Sequence, residues 1–590
     1  MSAPAPTASA STRMAARSAA LILDAFLDYN ERFSDITRRA QRWFERRNWN
    51  QAQIDLVWRM DLYDEVLVDT LARLEVLLDD RIRARSLWAA MRGEYETLVE
   101  PMLDRELAKT FFNSLSRRFF RTSGVEADIE FVALDAEPTA NIADPITRNV
   151  YSIDGDPREV CTRMLEDYPF ANGYADVAAS GAAVADAFTE RFGIPGGHAI
   201  FRIELLRTRF FRERRAYLVG RVLVGRVLAG RAAAGASWLP LVIALVNDAK
   251  GVRADAVLTE VGQVSALFGF ARSYFLADLP SIGDAVVFLH ALMRHKPIGE
   301  LYTVLGRAKQ GKTERYRALF HHLATHVDER LVRADGVRGM VMAVFTPMSY
   351  PVVFKVIRDQ FAYPKDSARR TVEEKYRLVF RYDRIGRLVD AQEFRYLRFP
   401  LRQFDKELLA ELLEQCAETV TIDGDDLLVK HCYVERRLRP LNLYARENPF
   451  EAARAAVLDY GQAIKELAQS NIFPGDLLLK NFGVSSRGRV IFYDYDELCL
   501  IAQCRFRRLP EAREEDETLP LEKWLSVRHD DVFPEVFARF LGLPDGLRDA
   551  LLKTHPEIFD PRWWQAVQAK LAAGDSTDIP PYPASACVHA

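Results

Sequence analysis

The sequence predicts an α+β protein in which a mainly helical first part precedes a mixed domain. Three observations carry this. Apolar residues early in the chain recur at helical spacing: Ile22, Phe26, Tyr29, Phe33 and Ile36 step by four, three, four and three. Short β-rich runs cluster after residue 336, as in "GMVMAVFT", "YPVVFKVIRD", "DDLLVKHCYVE" and "GRVIFYDYDE". Helical patterns separate the later runs, as an α+β arrangement requires.

The 590 residues exceed what one core accommodates and suggest about three or four domain-sized units, or fewer if one is large. Eighty basic and 83 acidic residues leave a net charge of −3, which gives no electrostatic reason to expect nucleic acid as a partner. The six cysteines are scattered without a C-x-x-C pair, so neither a zinc ribbon nor a disulfide framework is expected, and a reducing compartment fits. The apolar run "AALILDAFL" is short, is broken by Asp24 and lacks a cleavage site, so it reads as a tail entering a helix. No run approaches the ~18 apolar residues of a membrane span. A cytoplasmic protein is expected, with no membrane partner.

Leu67, Leu71 and Leu74 continue the helical habit of the first part. Alternation appears in "HAIFRIELLRTRFFRERRAYLVGRVLVGRVLAGR", where G-R-V-L recurs at Gly220 and Gly225 with a further Gly-Arg at Gly230. Too few copies are present for a solenoid, and a twisted strand pair or a local duplication is expected. "GRAKQGKT", Gly306–Thr313, fits the phosphate-loop pattern G-x-x-x-x-G-K-[ST]. That loop needs a strand before it and a helix after it; "LYTVL" is a candidate strand, and Tyr316, Leu319, Phe320, Leu323 and Val327 make a helical stripe. The parallel sheet such a fold demands is missing upstream, so a glycine-bracketed turn is the plainer reading. His322 and His326 have the i, i+4 spacing of a helical zinc pair, but "HLATH" lacks the glutamate and a third ligand, so surface histidines are expected.

The chemistry concentrates in "NIFPGDLLLKNFGVSSRGRVIFYDYDE". A helix with Val457, Tyr460, Ile464 and Leu467 on one face precedes it, and Pro474-Gly475 breaks the chain into a loop. Asp476 and Asn481 then show the D-x-x-x-x-N spacing of a kinase catalytic loop. "NFGV" and "VIFYD" flank "SSRGR" as a hairpin. A two-residue turn at Arg487-Gly488 would set Val484 against Ile491, Phe482 against Tyr493 and Asn481 against Asp494. An amide oxygen and a carboxylate side by side make a hard site for Mg²⁺, with Asp476 near enough to accept a hydroxyl proton. Taken singly, each residue is an ordinary turn or strand residue; the combined spacing points to phosphoryl transfer. Upstream, "ADGVRGMVMAVFT" supplies Gly336 and Gly339 before a strand. Lys355 follows within "PVVFKVI", where a phosphate-reaching lysine belongs. A hinge is expected in "LLVKHCYVERRLRPLNLY", with backbone near Tyr433 to Glu435 reading an adenine edge.

The stretches "ADGVRGMVMAVFT", "VFKVIRDQFAYPK", "DRIGRLVDAQEF", "ERRLRPLN", "NIFPGDLLLKNFGV" and "FYDYDE" closely resemble the isocitrate dehydrogenase kinase/phosphatase family, over nearly the whole chain and most strongly from about residue 300 to 500. The resemblance implies a protein-kinase-like bilobal catalytic domain, taken at 316–578, behind a mainly helical regulatory domain at 13–315; the small-residue start, 1–12, reads as a disordered tail and the end of the chain, 579–590, as a loose one. It implies ATP-dependent phosphorylation of a serine on isocitrate dehydrogenase and removal of the same phosphate, setting flux between the citric acid cycle and the glyoxylate bypass, with AMP as an effector. By motif, Ala334, Asp335, Gly336, Val337, Arg338, Gly339 and Met340 form the ATP loop, and Lys355 reaches the phosphates. Asp476 is the catalytic-loop acid, and Asn481 and Asp494 hold Mg²⁺ or Mn²⁺. The active-site role of Asp390 in "GRLVDAQEF" comes from the resemblance alone.

Departures from ordinary kinases are "PGD" for H-R-D, "DYD" for D-F-G and a G-x-x-G loop. If the strand continues past Asp494, Asp496 points to the same side, and as an extra acid it would position water or ADP for phosphate removal. A small-molecule phosphotransferase on the same scaffold is the alternative function. A pseudokinase is countered by the intact Lys355, Asp476, Asn481 and Asp494. The reading also allows for a homodimer.

Overall fold

The computed structural model describes residues 10–120, 122, 124–131, 147–153, 155–192, 198–228, 231–232, 236–269, 275–361, 368–382, 386–509, 527–574 and 578–588. The chain forms two compact units: residues 1–269, 274–325 and 580–590, and residues 270–273 with 326–579.

The first unit opens with α1 (Ala10–Glu45), so most of the expected N-terminal tail, residues 1–9, lies outside the described residues. Its stripe Ile22, Phe26, Tyr29, Phe33 and Ile36 is buried as the periodicity predicts. The stripe packs with residues of α2 (Trp49–Leu78), α3 (Arg85–Val99) and α4 (Arg105–Phe119) in one cluster that includes Leu67, Leu74, Trp88 and Phe111. Then come β1 (Arg148–Ser152), α5 (Pro157–Glu166), α6 (Val177–Phe192), β2 (His198–Leu206), β3 (Phe210–Arg212), β4 (Arg215–Leu228), β5 (Arg231–Ala232), β6 (Ser237–Asp248) and β7 (Gly251–Leu258). The strands make a seven-stranded sheet along the path β1-β2-β4-β6-β7, with β3 and β5 beside β4. The stretch from His198 forms a strand pair as expected, β2 antiparallel to β4, with the G-R-V-L repeat itself inside one strand: Gly220 and Gly225 lie within the 14-residue β4, and Gly230 lies outside the described residues. Gly220 is required there because an added Cβ would run into the carbonyl of Glu204 on β2.

Helices α7 (Val261–Leu267), α8 (Ile282–Leu292), α9 (Ile298–Val304) and α10 (Ala308–Thr325) complete the unit. "LYTVL" is helical rather than a strand, since Leu301–Val304 belong to α9, and Lys312 and Thr313 lie within α10. Gly311 sits where the two helices meet, its Cβ position occupied by the Gly299 carbonyl and the Thr303 hydroxyl. The motif's second glycine is a helix-crossing residue and builds no loop for a phosphate. Residues of the expected loose C-terminal tail are packed instead: Tyr582 is buried and takes a hydrogen bond from Arg215 at 2.7 Å, and the Val588 N–H donates to the Asp255 carbonyl at 2.9 Å.

The second unit begins with β8 (Leu331–Arg333), β9 (Met342–Pro347), β10 (Val352–Ile357), α11 (Arg369–Tyr382), β11 (Gln392–Phe394), β12 (Leu397–Pro400), α12 (Lys406–Gln415), β13 (Val420–Asp423), β14 (Asp426–Val429) and β15 (Cys432–Arg436). Five of these strands form an antiparallel sheet in the order β11-β15-β10-β9-β8, with Lys355 on an interior strand. The rest of the unit carries β16 (Arg439–Pro440), α13 (Leu441–Glu447), α14 (Phe450–Gln469), β17 (Ile472–Phe473), β18 (Phe482–Val484), β19 (Val490–Phe492) and β20 (Cys499–Leu500), then the helices Asp545–Thr554 and Pro561–Ala572. Val457, Tyr460, Ile464 and Leu467 of α14 enter a core with Phe482, Phe492, Tyr495 and Trp564.

The Arg387 guanidinium, 2% exposed, fixes this core to the chain segment before Asp390. It donates to Asp459 at 2.7 and 2.8 Å, to Glu466 at 2.6 Å and to the Val490 carbonyl at 2.8 Å. Burial pushes the Asp459 carboxyl up, but the hydrogen bond and charge of Arg387 outweigh it and hold the group below its usual range. A depressed carboxylate contributes stability above its unfolded value, about 3.9, and that contribution is lost as pH falls through the folded value. Asp459→Asn should therefore cost about 2 kcal/mol at neutral pH, and its denaturant midpoint should fall less between pH 5 and pH 2 than that of the unaltered protein.

Candidate active site

The catalytic loop is built by close backbone approach. Gly475 adopts φ 80°, and a side chain there would strike the Glu497 carbonyl. Gly475 thereby brings the turn that follows Asp494 against the residue before Asp476. The Asp476 carboxylate accepts from the Leu478 N–H at 3.2 Å, an Asx-type turn that shapes the loop. Asn481 ends the 3₁₀ turn Leu479–Asn481, is buried, and donates its side-chain N–H to the Asp476 carbonyl at 3.2 Å. With its nitrogen spent on that carbonyl, the amide offers its oxygen on the other side. A hard cation requires such a donor.

The hairpin forms, but in a register one residue from the expected one. Phe482 faces Phe492, Gly483 faces Ile491 and Val484 faces Val490. The cause is the turn. Ser485 bonds Arg489 and Gly488 bonds back to Ser485, with Gly488 at φ 77°, which is a three-residue loop with a glycine bulge and not the two-residue turn expected. The Asn481 carbonyl consequently accepts from the Tyr493 N–H at 3.1 Å, and Asp494 follows as the next residue instead of facing Asn481 across the ribbon. Strand β19 ends at Phe492, and residues 496–497 form a turn. The two-residue alternation expected to align Asp496 with Asp494 therefore does not hold.

Lys355, 6% exposed, reaches this turn from β10. Its ammonium pairs with Glu435 at 2.8 Å and donates to the Tyr493 carbonyl at 2.6 Å. Val353 faces Glu435 across the β10–β15 ladder and Lys355 faces Tyr433, so the ion pair is a diagonal cross-strand contact on one face of the sheet. In ordinary kinases the lysine's acid comes from a helix. The sequence reading did not assign this role to Glu435; a lone acid ending the alternation of "CYVE", on the strand expected as the hinge, was the available signal. Tyr433 and Val434 are laddered to both β10 and β11, whereas Glu435 is laddered to β10 alone.

Asp390, 8% exposed, is placed by a bridge between Leu388 and Phe492 and by the Val389 N–H donating to the Phe492 carbonyl at 3.2 Å. The segment thus runs parallel to β19 and ends near the Tyr493–Asp494 turn. Gln392 donates to the Asp390 carboxylate at 3.0 Å. Pattern alone could not find this residue, because a single bridge contacting a distant hairpin leaves no local periodicity.

The loop Ala334–Met340 joins β8 to β9 and presents an exposed Val337. Ala334 donates to the Val344 carbonyl, and Asp335 pairs with Arg439 at 2.5 Å. Gly336 is at φ 115°. Arg338 is held by Glu411 of α12 at 2.9 Å, which also takes Arg333 at 2.6 Å and Arg358 at 2.7 Å. Arg358 in turn donates to the Gly339 carbonyl at 3.1 Å. Among the described residues no group of three or more His, Cys, Asp and Glu forms a metal cage, His322 and His326 included.

A family model described as the isocitrate dehydrogenase kinase/phosphatase (AceK) regulatory domain matches residues 19–327, and one described as the AceK kinase domain matches residues 329–584. The chain is 52% identical over 573 residues to the isocitrate dehydrogenase kinase/phosphatase of Xanthomonas euvesicatoria, covering 97% of each protein. It is 42% identical over 570 residues to the protein of that name from Anaeromyxobacter sp., covering 96% of this chain and 97% of the relative. No helix among the described residues is long and apolar enough to cross a membrane.

Glu435→Gln should lower phosphoryl transfer at least about tenfold, because the lysine loses the counter-charge that Glu435 supplies at 2.8 Å; steady-state kinetics with varied ATP would show it, and a rate within twofold of the unaltered enzyme would exclude the assigned role. On the matches to both domain models and the full-length identities, the chain belongs to the isocitrate dehydrogenase kinase/phosphatase family.

Proposed function

We propose that the chain uses ATP to phosphorylate a serine of isocitrate dehydrogenase, removes the same phosphate, and so sets flux between the citric acid cycle and the glyoxylate bypass. The observation that carries this reading is the joining of Lys355, Asp476, Asn481 and the Asp494 turn by hydrogen bonds in a unit matched by the family's kinase-domain model.

In the kinase direction, the loop Ala334–Met340 covers the nucleotide and Lys355 steadies its phosphates. Asp476 accepts a hydrogen bond from the serine hydroxyl and orients its oxygen toward the terminal phosphate. The Asn481 oxygen and the Asp494 carboxylate would hold Mg²⁺, for which Mn²⁺ is a suitable substitute, and the bound ion supplies charge neutralisation on the phosphates. The protein contributes positioning and fixed charge, and little covalent work falls to it. In the phosphatase direction, phosphoserine enters the same pocket, and Asp496 or Asp390 orients water or ADP for attack. AMP acts as the allosteric effector in this reading.

The test is incubation with labelled ATP, Mg²⁺ and purified isocitrate dehydrogenase. Label should appear on the dehydrogenase; label on a small metabolite instead would favour a small-molecule phosphotransferase. Lys355→Ala should abolish transfer while Lys312→Ala retains it, because Lys312 belongs to a helix. Asp496→Ala should reduce phosphate release more than phosphorylation, and equal losses would remove the water-orienting role.

A further inference from the structure

The segment after Asp496 holds two cysteines that the proposed reaction does not use. Cys499 opens β20, and Cys504 follows the 3₁₀ turn Ile501–Gln503, which folds the chain back so that the two sulfurs stand 3.5 Å apart. Neither is in a disulfide; Cys499 is half-buried and Cys504 nearly buried. In the β17–β20 ladder Cys499 faces Phe473, and Phe473 is followed by Pro474-Gly475 and then Asp476. The carbonyl of Leu498 accepts from the Lys375 ammonium of α11 at 2.5 Å. The sulfur pair therefore adjoins both strands that enter and leave the catalytic turns. The hydrogen bond from Cys504 holds the Cys499 thiol below its ordinary value; burial opposes this and the nearby charge of Lys375 assists it.

We propose that Cys499 and Cys504 are an oxidation site that forms an intramolecular disulfide with a hydroperoxide as oxidant, and that this disulfide slows phosphoryl transfer. In the first step the Cys499 sulfur attacks one peroxide oxygen. The O–O bond breaks, the departing hydroxide takes up a proton as water, and Cys499 becomes a sulfenic acid. In the second step the Cys504 sulfur attacks the Cys499 sulfur. The S–O bond breaks, and the hydroxide leaves as water with the Cys504 proton. Two thiols are oxidised to one disulfide and hydrogen peroxide is reduced to two waters.

Disulfide formation draws the sulfurs from 3.5 Å to about 2.05 Å. Cys504 is anchored, since Gln568 donates to its carbonyl at 2.7 Å and to that of Ile501 at 2.8 Å. The movement therefore falls on Cys499, on its ladder with Phe473 and on the Leu498–Lys375 bond. The effect on transfer rests on the reading of Asp476 and Asp494 given above; the disulfide itself does not.

The experiment treats the full-length protein with hydrogen peroxide, blocks remaining thiols, maps linked peptides by mass spectrometry, and measures phosphorylation of isocitrate dehydrogenase before treatment, after it, and after dithiothreitol. The expected result is a Cys499–Cys504 linkage with a rate loss of up to about a hundredfold, as ångström-scale misplacement of reacting groups produces, restored by the reductant. Cys504→Ser and Cys504→Ala should keep the untreated rate and lose the reversible inactivation. No linkage at excess peroxide, linkage with an unchanged rate, or reversible inactivation persisting in Cys504→Ala would each overturn the proposal. Should the untreated protein transfer no phosphate, the functional reading fails, and the peptide map still decides whether the oxidation site exists.

Discussion

The candidate catalytic turns of the second unit are tied to their core by one buried cation. Arg387 spends its guanidinium on two acids of α14 and on a carbonyl of β19, so a helix, a hairpin strand and the segment leading to Asp390 share one anchor. A charge in such surroundings is tolerated only when its donors are met, and here a side chain from one segment is met by two others. This requirement converts a sequence with little local regularity between residues 386 and 391 into a fixed element.

The sequence made the local chemistry more legible than its geometry. Helical spacing in α1 and α14 located one core cluster in each unit, because burial on one face of a helix leaves a period in the residues themselves. Asp476, Asn481 and Lys355 stood out as candidates because a phosphoryl-transfer pattern specifies both residue type and spacing. The hairpin register was not. "SSRGR" is consistent with either a two-residue turn or a three-residue loop with a bulge, and the choice displaces every cross-strand partner by one. Asp390, the Glu411 clamp and the Lys355–Glu435 pair were silent for a further reason. Each is a contact between segments distant in sequence, and no local pattern encodes it.

Two glycine-bearing stretches illustrate the same limit. Gly306–Thr313 satisfies a phosphate-loop pattern at every fixed position, yet Gly311 is there so that α9 and α10 can touch. Gly336 and Gly339 match a weaker pattern and occupy a true loop, whose shape comes from elsewhere. Arg338 and the Gly339 carbonyl are held, directly or through Arg358, by Glu411 on α12. Glycine permits a conformation without saying which one, and the neighbours decide.

The position of Glu435 has a consequence for control. When a lysine's counter-ion rides on a mobile helix, tilting that helix makes and breaks the pair, and the enzyme is throttled at its nucleotide lysine. Here both charges are rooted in adjacent strands of one hydrogen-bonded sheet, so no helix has to be in place for the pair to form. The Lys355–Glu435 contact is thereby insulated from helix movement, the route by which ordinary kinases make and break theirs.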